Sequence, residues 1–98
     1  MDLEFENKND TQTLFNQVKG IVIEVNEPVN NFGSITLEVG KKTKRNINFI
    51  CKANTLISLK EKGVGLGNLT MVTFYIASKF KNGRWYTIAN VLEVNKLN

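Results

Sequence analysis

Within nine residues, Lys79 to Thr87 (KFKNGRWYT), the chain sets three cations, Lys79, Lys81 and Arg84, among three aromatics, Phe80, Trp85 and Tyr86. The chemistry open to such a stretch is non-covalent. Cations neutralise phosphates and release their counterions. Flat rings stack on nucleobases at roughly 1–3 kcal/mol per base, whatever the base. A plainer reading competes: a β-hairpin whose rings belong to the core and whose charges are solvated. In that reading Trp85 shares an inward face with Thr87 and Ala89. Alternation sets Tyr86 outward, Phe80 is read as exposed, and Tyr75 lies on the outward face of the preceding strand.

A second cationic run, KKTKR, supplies Lys41, Lys42, Lys44 and Arg45, with Lys52 further on and no acid between. It either tracks a phosphate backbone or forms a solvated turn whose lysines block strand edges from pairing. GVGLG, from Gly63 to Gly67, has the glycines of a phosphate-cradling loop. No Lys-Ser/Thr follows, so it reads as a turn.

Other chemistries lack their residues. The chain has no histidine and one cysteine, Cys51. That excludes an internal disulfide and the Ser-His-Asp and Cys-His arrangements, and it leaves zinc nearly without ligands. Glu24, Glu27, Glu38, Glu61 and Glu93 are scattered, with no pair suited to metal binding or general acid–base work. No metal, cofactor or catalytic residue is therefore expected, and an enzyme is the least expected class. Cys51, in the strand-like run INFIC, reads as a small buried residue.

The formal charge of +4 is unevenly placed. Residues 1–17 hold Asp2, Glu4, Glu6 and Asp10 against Lys8, a net −3, so the remainder carries +7. A basic body of this kind meets an anion. No basic amphipathic helix and no apolar run of about 18 residues is present, so a membrane is not the expected partner. The acidic start resembles neither a signal nor a transit peptide, and the expected location is cytoplasmic.

The elements that must position these residues follow from periodicity. Residues 1–17 read as a flexible acidic arm, of which residues 1–15 are dispensable for folding and carry charge that competes with the ligand; Leu14 and Phe15 could dock on the body. Residues 18–98 form the one domain that 98 residues allow. VKGIVIEV alternates, with Ile21, Ile23 and Val25 opposite Val22 and Glu24. NEPVNNFG is a loop. SITLEVG aligns Ile35, Leu37 and Val39. In KRNINFICK, Arg45, Ile47, Phe49 and Cys51 face away from Lys44, Asn46, Asn48 and Ile50. ANTLISLKEKG is a short helix near 54–62, with Asn54 as N-cap and Gly63 as stop. TMVTFYIAS sets Val72, Phe74 and Ile76 on one face. Asn82-Gly83 is a hairpin turn, and WYTIANVLEV is the last strand, with Thr87, Ala89 and Val91 aligned. Three strands, a helix and two strands give an all-β fold with one short helix, a five-stranded OB-fold barrel. An SH3-like barrel, the alternative, needs no helix there.

The chain also resembles the single-stranded DNA-binding proteins of the bacterial type. It is similar in particular to short relatives whose last hairpin reads N-G-[RK]-W-Y-T, here Asn82, Gly83, Arg84, Trp85, Tyr86 and Thr87. INFICKANTLISLKEKG and the turn glycine Gly67 fit the same pattern, which covers about residues 18–94. The resemblance implies a non-enzymatic protein that binds single-stranded DNA with low sequence specificity, in replication, recombination or repair, as a homo-oligomer (dimer or tetramer). The resemblance places Lys44, Asn46 and Asn48 at ligand-facing positions of strand three; with the cationic run and the hairpin read above, the candidate nucleic-acid-binding residues are Lys42, Lys44, Arg45, Asn46, Asn48, Tyr75, Lys79, Phe80, Lys81, Arg84, Trp85 and Tyr86. Lys44 stands where larger relatives commonly have a stacking tryptophan, so the aromatic contribution falls mostly to the hairpin. LEVNKLN has no acidic, proline-containing tail of the kind that recruits partners. Two alternatives stay open: an RNA-binding module of the cold-shock kind, though its aromatic signature on strands two and three is missing, and an OB-fold protein-interaction or assembly module. Fourteen asparagines hint at an AT-rich source such as a phage or mobile element.

Overall fold

The structure is a computed structural model and describes residues 15–98. Its elements are β1 (Asn16–Val29), β2 (Phe32–Val39), β3 (Arg45–Lys52), α1 (Ala53–Glu61), β4 (Leu69–Lys81) and β5 (Arg84–Lys96). The strands close into a barrel in the order β1-β2-β3-β5-β4. All pairings are antiparallel except β3 with β5, which meet in parallel at Ile50 and Asn90. This is the OB-fold that the element order implies. Of the expected arm, residues 1–14 lie outside the described residues. Its last two residues, Asn16 and Gln17, belong to β1 and pair with Phe74 and Thr73 of β4.

Alternation places the core where β2 and β3 predict it. Ile35, Leu37, Phe49 and Cys51 are fully buried, joined by Val22, Val72, Val94 and the helix residues Leu56 and Leu59. Phe49 meets Phe74 edge-to-face, with ring centroids 5.0 Å apart. Burial pushes the Cys51 thiol up to about 11. The thiol should therefore resist a chromogenic disulfide reagent at pH 8 in the folded protein and react at once in denaturant. Stability should fall as pH rises from about 9 through about 11, because the unfolded chain gives up this proton first.

β1 corrects the expected face. Val22 is buried, whereas Ile23 is 41% exposed. The ladder to β2 shifts between Val22 and Glu24, and the residue between them, Ile23, is the extra one of a β-bulge. Val18 and Val22 thus face inward before the bulge and Val25 packs on the core after it. A second irregularity, between Asn26 and Val29, takes in Pro28, which has no N–H to give a ladder. β1 therefore continues through most of the expected loop, and Asn30 and Asn31, with φ of 54° and 72°, make a two-residue turn into β2.

At Gly33 a Cβ would collide with the Asn26 carbonyl oxygen and Leu56 Cδ1. Glycine is what lets this hairpin lie against α1. The helix starts at Ala53, with Lys52 rather than Asn54 in the N-cap position and no side-chain cap. The Ala53 amide donates instead to the Asn31 carbonyl, 2.9 Å away, so the β1–β2 turn supplies the acceptor that a capping side chain would have given. At the other end Gly63 N–H donates to Lys60 O and Val64 N–H to Leu59 O, a Schellman closure.

Candidate nucleic-acid interface

β4 and β5 outrun the barrel. Asn82 (φ 52°) and Gly83 (φ 77°) join them in a tight turn, and the pairing stays regular from Phe74–Val91 out to Lys81–Arg84. The hairpin therefore has two distinct faces. Pairing sets Phe74, Ile76, Ser78 and Phe80 beside Val91, Ala89, Thr87 and Trp85 on the first. It sets Tyr75, Ala77, Lys79 and Lys81 beside Asn90, Ile88, Tyr86 and Arg84 on the second.

The first face continues the core face, but beyond Phe74 no barrel lies beneath it. Ile76 is 56% exposed, Phe80 60% and Trp85 71%. Phe80 and Trp85 stack edge-to-face on each other, with centroids 5.2 Å apart. Trp85 thus shares its face with Thr87 and Ala89 as expected and is nonetheless not core. Ile76, expected in the core row, is solvent-facing for the same reason.

The second face carries the charge. Lys79 lies directly across from Tyr86, and Lys81 from Arg84. Like charges directly opposite each other destabilise a hairpin. Among the described residues no carboxylate forms an ion pair with either cation; the described ion pairs are Lys44–Glu38 and Lys60–Glu27. The fold thus maintains an electrostatic cost at this tip that a bound polyanion would relieve.

This second face also walls a groove of about 480 Å³. Tyr75, Ala77, Lys79, Ile88 and Asn90 form the hairpin side. Phe32, Ile50 and Lys52, from the ends of β2 and β3, form the other. Phe32 and Lys52 are cross-strand neighbours, fixed by the β2–β3 register. The groove is lined mostly by apolar side chains, with Phe32 and Tyr75 as its aromatic groups and Lys52 and Lys79 as its cations. The Asn90 side chain, tied to the Ile88 carbonyl at 3.3 Å, is the polar group within it.

From the groove the outer row of β3 runs back through Asn48 and Asn46 toward Lys44. This end is more polar and less positive. Asn48 Nδ2 donates to Thr36 Oγ1 (2.7 Å), whose hydroxyl donates to Glu24 Oε1 (3.3 Å). Lys44 sits 3.7 Å from Glu38. Arg45 is exposed at the barrel rim and Lys42 lies in the β2–β3 connection, both remote from the hairpin.

The twelve residues singled out in the sequence therefore fall into three sets. Tyr75, Lys79, Lys81, Arg84 and Tyr86 come together on the groove face. Phe80 and Trp85 lie on the opposite face of the same hairpin. Lys42, Lys44, Arg45, Asn46 and Asn48 line the far end of β3. Phe32, Ile88 and Asn90 belong to the groove without having been singled out. The Asn30-Asn31 pair, a turn former that brings Phe32 to Lys52, was the signal available for the first of them. Among the described residues no three His, Cys, Asp or Glu side chains gather into a group that could hold a metal. No helix among them is long and apolar enough to cross a membrane.

No family model matches the chain, and no curated protein matches it in sequence. Its fold is shared with solved structures. The mitochondrial single-stranded DNA binding protein Rim1 of S. cerevisiae superposes with a TM-score of 0.66 at 15% identity, over 85% of this chain and 94% of that one. The dimeric N-terminal domain of PriB protein from Thermoanaerobacter tencongensis gives 0.62 at 13% identity, over 86% of this chain and 96% of that one.

Proposed function

We propose that the protein binds single-stranded DNA with little sequence preference, without catalysing a reaction on it, in replication, recombination or repair in the cytoplasm. The observation that carries this reading is the groove face of the hairpin. It combines Tyr75 and Tyr86 with Lys79, Lys81 and Arg84, and faces Phe32 and Lys52 across a cleft. Exposed rings select single strands, because a duplex keeps its bases stacked on one another. Cations that have no carboxylate partner among the described residues supply the sequence-independent attraction. The apolar groove floor offers no array of donors and acceptors to read base edges, hence the low specificity. The strand's path continues along β3 past Asn48, Asn46, Arg45, Lys44 and Lys42, and at the tip it reaches Phe80 and Trp85. The fold shared with a protein that binds single-stranded DNA supports the reading.

One observation favours a second role for the same hairpin. The exposed Ile76, Phe80 and Trp85 row is apolar, and such a patch suits association. We assign it to a homo-oligomer, dimer or tetramer, and the dimeric state of the PriB domain supports that choice.

Charge variants test the reading. Lys81→Ala and Arg84→Ala should each weaken binding to oligo-dT at low salt and lower the salt slope by about one ion. Melting should stay the same or rise, since each change removes a like-charge pair. Unchanged affinity and slope in both variants would remove the hairpin from the interface and advance the assembly role.

A further inference from the structure

The row that carries Asn48 spans three strands. Register sets Glu24 of β1 beside Thr36 of β2, and Thr36 beside Asn48 of β3. The next row, Val25, Ile35 and Phe49, faces the core, so these three side chains share the outer surface of the barrel. Glu24 and Asn48 are exposed there, while Thr36 between them is only 8% exposed. Its hydroxyl bonds to both, with Asn48 Nδ2 at 2.7 Å and Glu24 Oε1 at 3.3 Å.

The acid end fixes the direction of this chain of bonds. A carboxylate only accepts, so the Thr36 hydroxyl gives its single proton to Glu24. Toward Asn48 the hydroxyl can then only accept, and of the two ends of an amide only the N–H can donate. Asn48 therefore draws Nδ2 onto the buried hydroxyl, and Oδ1 becomes the outward end of its side chain. Bonds in series polarise one another, so the charge of Glu24 strengthens Oδ1 as an acceptor. The register thus turns a surface amide into an acceptor of fixed orientation on the outer row of β3.

Such an acceptor cannot bond a phosphate, which brings only oxygen acceptors of its own. It can accept from a nucleobase. Cytosine and adenine carry an exocyclic amino group, N4 and N6, whose protons stand at the edge of the base. Uracil and thymine have a carbonyl oxygen at that place. Their one ring N–H, at N3, is flanked by two carbonyl oxygens that repel an approaching acceptor.

We propose that Asn48, oriented by Glu24 through Thr36, reads the base that lies on β3 and favours one with an exocyclic amino group, cytosine or adenine, over uracil or thymine. The inference rests on the proposed binding of single-stranded DNA and refines it. One hydrogen bond adds a modest preference to a strand held mainly by charge and stacking.

Oligo-dC and oligo-dU of equal length test this in the full chain, because their bases match in size and neither carries a methyl group. The unmodified chain should bind oligo-dC roughly three- to tenfold more tightly, the range that one net hydrogen bond supplies. Asn48→Ala should bring the ratio close to one. Glu24→Gln leaves Asn48 in place and changes the direction of the bonds. The new amide can donate to Thr36 Oγ1, which frees the hydroxyl proton for Asn48 and lets Nδ2 turn outward. Binding to both oligomers should strengthen as a negative charge is lost, while the ratio falls to one or below. Both positions are exposed, so melting should stay near that of the parent. Equal affinity of the unmodified chain for the two oligomers overturns the base preference and leaves the binding function standing. A ratio that survives Asn48→Ala overturns the assignment to Asn48. A ratio lost in Asn48→Ala and kept in Glu24→Gln overturns the orienting role of Glu24. No binding to either oligomer overturns the proposed function, and this inference with it.

Discussion

Phe49→Ala should cost about 3–5 kcal/mol of folding stability, while Trp85→Ala should cost less than about 1 kcal/mol. Both truncate a large ring on a strand, and only one ring is inside. Phe49 is fully buried at the centre of β3 and rests edge-on against Phe74. Removing it forfeits its transfer energy and leaves a cavity that a closed barrel cannot collapse around. A domain of this size has roughly 5–15 kcal/mol in all, so the variant stands near the edge of folding. Trp85 is 71% exposed and touches mainly Phe80. Urea unfolding of the two variants beside the parent measures the difference. Comparable losses in both, at a dilution where the protein is monomeric, would mean that the hairpin tip is packed within its own chain and is not a free finger.

Tyr75→Ala and Tyr86→Ala should each weaken oligo-dT binding by about 1–3 kcal/mol, roughly five- to 150-fold, and leave the salt slope nearly intact. Stacking releases no counterions, which is what sets these variants apart from Lys81→Ala and Arg84→Ala. Both tyrosines are part-exposed on the groove face, so folding should survive the loss of either ring. Phe80→Ala and Trp85→Ala, on the far face, should have the smaller effect. Fluorescence anisotropy of labelled oligo-dT at two or three salt concentrations reads both quantities at once. Loss concentrated in Phe80 and Trp85 would move the strand to the apolar face and displace the groove.

The contrast between Phe49 and Trp85 also shows what the sequence could reveal. Alternation identified the inward row of β2 and β3 and the face of Trp85. It could not show where a sheet leaves the barrel, because a strand keeps its period of two after the core beneath it ends. Ile76 and Trp85 therefore carry the core signal in the sequence and stand in solvent in the fold. The bulge at Ile23 shifted the phase of β1, since one extra residue reverses every side chain after it. Pro28 disguised the end of β1 as a loop, although Asn30-Asn31 is a turn pair in its own right. The helix was legible from its apolar spacing and Gly63. Its start was displaced by one residue because the capping acceptor, the Asn31 carbonyl, is distant in sequence. The cation–aromatic hairpin was visible as composition. That Lys52 and Phe32 face it across a groove is a consequence of register and closure, which no local window contains.

The most direct test of the central claim is a salt titration of the unmodified protein against oligo-dT, oligo-rU and duplex DNA of equal length. Four cations line or flank the groove, Lys52, Lys79, Lys81 and Arg84. A strand that contacts these four should give a log–log salt slope of roughly −3, and one that also contacts Lys42, Lys44 and Arg45 roughly −5, from about 0.7 ions per phosphate neutralised on a single strand. The account predicts tight binding to oligo-dT with a slope in that range, oligo-rU no tighter, and duplex DNA at least roughly tenfold weaker because its bases cannot reach the rings. Duplex bound as well as oligo-dT, or no binding to any of the three at low salt, would contradict it.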